Sequence, residues 1–358
     1  MSLLEDQAHI LDQFVQLVKD QQPDLVIIVG DLFDRATPSE EAVALFDQTL
    51  SRLIQECKVR AVVLPGQHDS ATRLSVGSWM MEKRGLHVVT TLEQALSPIH
   101  LEDADGPLHL NAIPYLDPYM ISQHFRTQQV SSHGHAGTVL LDHLTRFRRL
   151  RKRAVRGVIA AYLHLEGGEL CGSERSLGQP GEPLVKTETL QGLSYGALGY
   201  LHRAQALGEN QELCYSGSPL ALSFEEAGQE KSVQKVTIDA EGEAVIERVS
   251  LSPKRNLHRI EGPLDALLLG PARALSPRDL CCLVLTDEMG PLGAEQVERL
   301  RRHYPNLLRI ERRSGSSPQL PEARPSLTVF SNFYERATGE KLDEEGEKFL
   351  RHALVEPA

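Results

Sequence analysis

The chain has 358 residues, a net charge of −11, five cysteines and one tryptophan, with 41% hydrophobic and 24% charged residues. This is the balance of an ordinary globular protein, and at roughly 100–200 residues per domain the length predicts two domains or one large domain with appendages. No apolar stretch approaches the roughly 18 residues of a membrane helix, MSLLEDQAHI lacks the basic start of a secretory signal, and the scattered cysteines indicate neither a disulfide framework nor a zinc knuckle. We therefore expect a protein of the reducing cytoplasm, whose acidic charge argues mildly against binding nucleic acid through a general basic surface.

The first 70 residues alternate between helix and strand. Apolar residues at helical spacing predict a helix over 5–20, and Pro23 ends it. The short apolar runs at 24–30 and 60–66 predict buried strands of a parallel sheet. Between them, residues 38–56 are predicted as a helix, because Pro38 and acidic residues occupy its first turn. Strand, helix and strand in this order predict right-handed βαβ units and a sheet covered by helices.

The remaining chain is predicted to continue the α/β pattern and then to change. Further strands are predicted at three apolar runs, 108–114, 157–163 and 195–199, with a helix over 140–153. Short β runs separated by glycine-rich turns at 213–250 predict a second, more antiparallel sheet. A smaller unit of strand, helix, strand, helix and strand is expected at 256–313. The proline- and serine-rich stretch 314–326 predicts a linker before a final amphipathic helix.

Unusual polar clusters follow four of the predicted strands. They are Gly30, Asp31, Asp34 and Arg35; Gly66, Gln67, His68 and Asp69; His164; and Gly199, Tyr200 and His202. Because ligands of open α/β sheets bind at the carboxyl ends of strands, we expect these side chains to converge at one edge. Mixed oxygen and nitrogen ligands suit divalent metals such as manganese. Two metals sharing a carboxylate form a clamp for in-line attack on a phosphodiester.

Each cluster alone could instead be a capped turn, or a histidine whose hydrogen bonds are satisfied within the core. The occurrence of all four in this order, each after an apolar strand, favours a functional site. The motifs GDLFD (30–34), GQHD (66–69), the lone His164 and GYLH (199–202) resemble those of the calcineurin-like metallophosphoesterases. The stretches IPYLDP (113–118), GALGYLHRAQ (196–205) and CYSGSPLALSFEEAG (214–228), followed by KSV, are similar to one branch of that family, the nuclease subunits of bacterial SbcCD-type complexes. The resemblance covers roughly residues 5–260.

The resemblance implies a fold and a set of domains. The expected fold is α/β, a two-sheet metallophosphoesterase sandwich flanked by helices, with a small α/β capping domain and a C-terminal helical tail. The expected domains are a nuclease domain at 1–255, a capping domain at 256–313, and a linker with a partner-binding helix at 314–358.

The resemblance also implies a role for each site residue. Asp31 would bridge two manganese ions, with His202 completing the ligands of the first and His164 those of the second. His68 would be catalytic, as proton donor to the leaving oxygen or by orienting the scissile phosphate. Asp34 and Asp69 would hold the ligands and their turn in place. Arg35 and Arg203 would contact DNA.

The implied activity is manganese-dependent hydrolysis of DNA phosphodiesters, exonucleolytic at double-stranded ends and endonucleolytic at hairpins. The implied partner is an SbcC-like ATPase subunit with a long coiled coil, and the nuclease subunit would form a homodimer within a heterotetramer. No membrane is involved. The acidic charge is then compatible with DNA binding, because the partner and the metals share that task.

Three departures from the family pattern leave alternatives open. No D-x-H motif opens the chain, since Asp6 and His9 lie in a predicted helix; Gln67 replaces the asparagine of GNHD; and Tyr200 replaces the first histidine of GHxH. Either the chain begins after the family's first strand, or the metal centre has decayed while the partner-binding shell persists. The alternative functions are accordingly a non-catalytic scaffold that binds the ATPase and DNA ends, and thirdly a phosphatase or small-molecule phosphodiesterase.

Two further segments have two interpretations each. Six arginines and one lysine between 146 and 156 would contact the DNA backbone or form the solvated face of a helix. The C-terminal amphipathic helix would dock on the coiled coil of the partner or pack on its own domain.

Overall fold

The computed structural model describes residues 3–126, 130–150, 156–178, 181–287, 292–304 and 306–313, together with Tyr334 and Gly346; the side chains of 146–150 are not described. The helices are α1 (Leu4–Gln21), α2 (Glu40–Ser51), α3 (Ala71–Leu74), α4 (Ser78–Glu82), α5 (Leu92–Ala95), α6 (Pro118–Phe125), α7 (His133–Leu150), α8 (Leu264–Leu267) and α9 (Ala294–His303). The strands are β1 (Leu25–Val29), β2 (Arg60–Leu64), β3 (Leu86–Val88), β4 (Ile99–Asp103), β5 (Gly106–Ile113), β6 (Arg156–Tyr162), β7 (Tyr195–Gly199), β8 (Gln205–Leu207), β9 (Leu213–Tyr215), β10 (Ser232–Ile238), β11 (Ala244–Ser250), β12 (Leu257–Gly262), β13 (Leu280–Leu285) and β14 (Leu307–Arg312).

The N-terminal βαβ units are confirmed. Strands β1, β2 and β3 form a parallel sheet in that order. Helix α2 begins where predicted, because the Ser39 hydroxyl accepts a hydrogen bond from the Ala42 N–H and caps its first turn. The predicted C-terminal part of that helix, 52–56, is a π-helical turn instead. Strand β2, the central strand, is almost entirely buried, whereas only Val26 of the edge strand β1 is buried; β3 is the other edge in the described chain.

A larger mixed sheet follows, with strand order β4-β5-β6-β7-β9-β8. Its centre, β5 to β6 to β7 to β9, is parallel, and the two outermost pairs are antiparallel. The strands predicted at 108–114, 157–163 and 195–199 are confirmed as β5, β6 and β7. Of the region 213–250, residues 213–215 join this sheet, and residues 232–238 and 244–250 form the antiparallel pair β10 and β11.

The two sheets pack face to face and carry helices on both outer surfaces. Between them, Val62 and Leu64 of β2 pack with Ala112, Val158 and Ala160 of the larger sheet. On one outer face the apolar residues of α1 and α2 cover the parallel sheet, and on the other α6 and α7 cover the larger sheet. The predicted two-sheet α/β sandwich flanked by helices is therefore confirmed.

At one end of the sandwich the two sheets come very close together. A Cβ atom on Gly199, the last residue of β7, would lie 2.2 Å from the carbonyl oxygen of Val29, the last residue of β1. Only glycine fits this approach, because the neighbouring atom is backbone and cannot rotate away. The carboxyl ends of β1 and β7 are thereby held together at the edge where the sequence predicts a site.

Residues 257–312 form a further small unit. Strands β12, β13 and β14 make a parallel sheet in chain order, and α8 and α9 pack on it around the buried Leu283 and Leu300. The predicted succession of strand, helix, strand, helix and strand is confirmed, while a capping role and the boundary at 255 stay predictions. The predicted linker and helix at 314–358 lie outside the described residues, apart from Tyr334 and Gly346.

Side-chain hydrogen bonds join helix α1 to residues 252–255, which follow strand β11. The Arg255 Nε donates to the Asp6 Oδ1 at 2.9 Å, and Asp6 is only 2% exposed. On the next turns of the helix, the Gln13 amide bonds both the N–H and the carbonyl of Ser252. Asp6 therefore has a structural partner. His9, whose Nε2 lies 2.9 Å from the Gln13 amide nitrogen, also faces this segment.

The basic run yields one described side chain, Arg156. It is 5% exposed, donates to Asp103 and to the Gly106 carbonyl, and so is a buried residue of the large sheet. The other side chains of the run lie outside the described residues. In the described parts of the chain, none of the helices has the length and apolar character needed to cross a lipid bilayer.

Candidate functional site

Two loops that follow adjacent parallel strands are joined by one carboxylate. Asp69, in the loop after β2, accepts hydrogen bonds from the N–H groups of Leu32 at 2.9 Å and Phe33 at 3.0 Å, both in the loop after β1. It also accepts from the Gly66 N–H at 2.8 Å within its own loop. Burial raises the pKa of Asp69, although these three donors oppose the effect. Asp69 therefore joins the two loops, and its predicted role in holding metal ligands stays a prediction.

We expect Asp69→Ala to lower the free energy of unfolding by about 3 kcal/mol or more, because three backbone N–H groups lose their acceptor at once. Urea denaturation measures the change. Asp47→Ala, on the exposed face of α2, is the matched control and should stay within about 0.5 kcal/mol of the parent protein. Equal stability of the two variants would contradict the assigned role.

Asp31 and His68 lie side by side across these loops. The Asp31 Oδ1 accepts from the His68 N–H at 3.1 Å, and its Oδ2 accepts from the Tyr162 hydroxyl at 2.6 Å. A Cβ atom on Gly66 would lie 2.3 Å from Asp31 N, so the glycine is needed for the loops to meet. Asp31 itself has a φ of 48°, the left-handed region that aspartate tolerates better than most residues.

A hydrogen bond at one ring nitrogen orients the imidazole of His68. Its Nδ1 lies 3.0 Å from the Asp34 carbonyl oxygen, which can only accept, so Nδ1 carries the proton. The other nitrogen, Nε2, lies 3.5 Å from the Gln67 amide nitrogen. In this tautomer Nε2 is the ring atom available to exchange a proton with a bound group.

Aromatic rings line the site beside Asp31. The Tyr200 ring lies 5.8 Å from the Tyr162 ring and 5.2 Å from the His164 ring, between centroids. Burial raises the pKa of both Tyr162 and Tyr200, so both phenols are protonated at neutral pH and Tyr200 offers no anionic ligand. A cavity of about 400 Å³ opens beside these three rings and also borders Tyr115 and His133.

His202 belongs to a different group of side chains. Within the described residues, a set of potential metal ligands whose atoms all lie within 4.8 Å of one another is formed by Cys171, Glu174 and His202. The His202 N–H donates to the Glu174 Oε1 at 2.9 Å, and the His202 Nδ1 lies 2.7 Å from the Ser173 hydroxyl. Asp31 and His164 are not members of this set.

A buried ion pair lies behind His202. The Lys231 ammonium donates to the Glu226 Oε2 at 2.6 Å, to the Ser218 hydroxyl at 2.8 Å and to the His202 carbonyl at 3.1 Å. Glu226 is fully buried and Lys231 is 6% exposed. Burial alone would raise the pKa of Glu226, but His202 and Lys231 outweigh it and lower the pKa to about 2. The family-like stretch 214–233 therefore supplies both charged residues that contact His202: Lys231 at its carbonyl and Glu226 beside its ring.

The other predicted site residues lie at the surface. Asp34 and Arg35 pair with each other at 3.2 Å, and Arg203 pairs with Glu169 at 3.2 Å, all exposed. The Gln67 amide nitrogen donates to the Arg175 carbonyl at 2.9 Å. The roles given to these residues, and to Asp31, His68, His164, Tyr200 and His202, stay predictions.

Sequence reasoning missed five residues that shape the site: Tyr162, Cys171, Glu174, Glu226 and Lys231. Tyr162 ends an apolar strand and has the pattern of a core residue. Glu226 and Lys231 carried no signal of burial, because charged residues in a turn-rich stretch are mostly exposed. Cys171 and Glu174 lie in an irregular loop, where spacing does not indicate contact.

The fit of this arrangement to a pair of metal ions can be judged from its donors. Each oxygen of Asp31 accepts one hydrogen bond from a protein donor, and a carboxylate oxygen has a second lone pair. The expected co-ligand His202 is gathered with Cys171 and Glu174, and Tyr200 is a neutral phenol. The described residues therefore do not assemble the full ligand set expected for a two-manganese centre.

Comparison with known proteins shows what the chain is similar to. Residues 4–157 match the family described as calcineurin-like phosphoesterase, whose members use divalent metals. The SbcD component of the SbcCD nuclease from Staphylococcus epidermidis is 28% identical over 359 aligned positions, which cover 98% of this chain and 93% of the relative. These matches together support an SbcD-type protein. A solved structure also aligns with 68% of this chain and 94% of its own length, but at 12% identity and a TM-score of 0.39 the likeness is too weak to support an argument.

Proposed function

We propose that this chain is the nuclease subunit of an SbcCD-type complex and hydrolyses DNA phosphodiesters, as an exonuclease at double-stranded ends and an endonuclease at hairpins. Its context is DNA repair, recombination and replication. The SbcD relative and the phosphoesterase domain support the coarser statement, a nuclease-type phosphoesterase.

One observation carries the proposal for this chain's own residues. Asp69 holds the loops after β1 and β2 in one arrangement, and that arrangement places the Asp31 carboxylate against the His68 backbone at 3.1 Å. Both loops lie at the carboxyl ends of parallel strands, where α/β proteins bind their ligands.

His68 supplies the proton chemistry in this proposal. With Nδ1 donating to the Asp34 carbonyl, Nε2 is the ring nitrogen that takes up a proton, and the doubly protonated ring would then donate that proton to a leaving oxygen or hydrogen-bond a phosphate. Arg35 and Arg203 are proposed to contact the DNA backbone. Each gives up an exposed ion pair to do so, and such pairs are worth about 0–1 kcal/mol.

The proposed cofactor is Mn²⁺, and the proposed partners are an SbcC-like ATPase, DNA ends and hairpins, and a second copy of the chain within a heterotetramer. The metal proposal rests on the family alone. The proposed location is the cytoplasm, which is supported by five free cysteines.

A second candidate function is a non-catalytic scaffold that binds the ATPase and DNA ends. It is favoured by the Tyr162 hydroxyl, which bonds the carboxylate expected to bridge two metals, and by Tyr200, a neutral phenol at an expected imidazole position. A phosphatase is less well supported, because the SbcD likeness extends over the whole chain.

The two candidates are separated by cleavage of a labelled DNA hairpin with Mn²⁺, using the full chain with and without its ATPase partner. Asp31→Asn is the test variant, because asparagine tolerates the left-handed backbone at this position, and Asp47→Asn is its control. Metal-dependent cleavage that is lost only in Asp31→Asn supports the nuclease. Absence of cleavage, with binding to the ATPase intact, supports the scaffold.

A further inference from the structure

We propose that the cavity beside the strand ends binds one unpaired nucleobase of the DNA substrate, an inference that rests on the proposed function. The cavity has a volume of about 400 Å³, and small-ligand pockets span roughly 300–1,000 Å³. It begins one side chain away from Asp31, because Tyr162 lines it and donates its hydroxyl proton to the Asp31 Oδ2 at 2.6 Å. A nucleotide whose phosphate lies near Asp31 can therefore place its base in the cavity.

The walls of the cavity suit a flat aromatic ring. They combine buried aliphatic side chains with tyrosine rings, among them Ile121, Leu140, Val185, Tyr115, Tyr162 and Tyr200. Every nucleobase has an aromatic face, and bases stack on aromatic side chains in sites that bind single strands. The loop of a DNA hairpin supplies bases that are already unpaired, so moving one of them into a pocket costs little.

The opening of the cavity is apolar and reaches the solvent. Leu170 and Leu184 both line it, although 51% of the first residue and 37% of the second are exposed. Exposed apolar surface at the edge of a cavity is typical of a site that a ligand covers. A base that enters here would remove these two side chains from water.

The polar groups nearest to the rings already have partners within the protein. The Tyr115 hydroxyl lies 3.2 Å from the His133 Nε2, and the Tyr162 hydroxyl is bonded to Asp31. The cavity therefore contacts the face of a base and does not read its hydrogen-bonding edge. We expect all four bases to bind, because stacking tolerates sequence.

The backbone of Tyr200 is a second, independent observation. Its φ is 109°, a left-handed conformation that favours glycine, yet the residue is a tyrosine and only 6% exposed. Such strain persists where the surrounding structure holds a residue in place, and it clusters at binding sites. The ring lies 5.8 Å from Tyr162 and 5.2 Å from His164, between centroids, so it is a fixed part of the cavity wall.

The test uses the full chain with its ATPase partner in the absence of metal, so that no DNA is cut. The probe is a DNA hairpin with the fluorescent base 2-aminopurine in its unpaired loop. We expect binding to shield this base from quenching by acrylamide, whereas 2-aminopurine in the paired stem should stay as it was. A hairpin whose loop nucleotides are abasic should bind about 5–150-fold more weakly, which corresponds to the stacking of one base.

Two variants assign the shielding to this cavity. Tyr115→Leu removes an aromatic wall, and Ala136→Leu fills space from helix α7, where Ala136 is buried and lines the cavity. Both should expose the loop base and bind the normal and abasic hairpins equally. Tyr119→Leu is the matched control, because Tyr119 is exposed on α6 and outside the cavity lining, and it should behave as the parent. Circular dichroism confirms that each variant is folded.

A loop base that stays exposed in a stable complex, or shielding that persists in both cavity variants, would overturn the proposal. Either result leaves the proposed nuclease function intact, because cleavage of the same hairpin with Mn²⁺ is measured separately. Shielding of the loop base without cleavage would support the nucleobase site and contradict the nuclease. Absence of hairpin binding would count against both.

Discussion

Lys231→Met is expected to lower the free energy of unfolding by about 3–5 kcal/mol, because it leaves the fully buried Glu226 carboxylate without its countercharge. Methionine fills about the same volume as the aliphatic part of lysine, so the decrease in the free energy of unfolding measures the loss of the charge and not the formation of a cavity. Three further acceptors lose the ammonium at the same time: the Ser218 hydroxyl, the Gln229 amide oxygen and the His202 carbonyl. Urea denaturation monitored by circular dichroism measures the effect.

The matched control is Lys235→Met on β10. Its pair with Glu247 is largely exposed at both ends, and its loss should cost no more than about 1 kcal/mol. The double variant Lys231→Met with Glu226→Leu removes both buried charges and should regain much of the lost stability. If Lys231→Met and Lys235→Met were equally mild, the pair would not be the support of His202 described above.

His68→Ala is expected to reduce the rate of DNA cleavage by about 10²–10⁴-fold, the range that one positioned proton donor contributes. The Nδ1 of His68 is bonded to the Asp34 carbonyl, so Nε2, which lies 3.5 Å from the Gln67 amide nitrogen, is the ring nitrogen that would exchange the proton. Single-turnover cleavage of a labelled hairpin, with the ATPase partner present, separates the chemical step from binding and product release.

His100→Ala provides the control for histidine removal, because His100 is exposed on the outer strand β4. It should cleave at the parent rate. DNA affinity of His68→Ala should remain near that of the parent when the imidazole acts as the proton donor, whereas a loss of affinity would indicate that it orients the phosphate. Equal cleavage by the two variants would remove His68 from the mechanism, and the scaffold function would then be the better account.

Much of the sandwich was predictable from local pattern. The strands β1, β2, β6 and β7 are short apolar runs that end in polar clusters, and the parallel pairing of β1 with β2 follows from helix α2 between them. The short helices and strands between 71 and 103 were not predicted, because such elements form through tertiary packing and carry little periodicity. The π-helical end of α2 was missed for the same reason, since a helical pattern does not distinguish the two hydrogen-bond registers.

The candidate site was predictable only in part. Asp31, His68 and Asp69 follow strand ends that the pattern identifies, and the structure brings them together. The grouping of His202 with Cys171 and Glu174 was not predictable, because loop 163–178 has no period that fixes its path. The end of a strand fixes the position of a residue in the sheet, but the conformation of the neighbouring loop determines which side chains that residue contacts.

The bond between Asp6 and Arg255 also bears on the order in which the protein is made. The two residues are 249 positions apart, so α1 leaves the ribosome long before its buried partner exists. At 5–20 residues per second, the interval is about 12–50 s. During translation the buried face of α1 can pack on β1 and β2, but its Asp6 end has no countercharge until Arg255 emerges. The buried end of α1 therefore gains its partner only after the segment that follows β11 has left the ribosome.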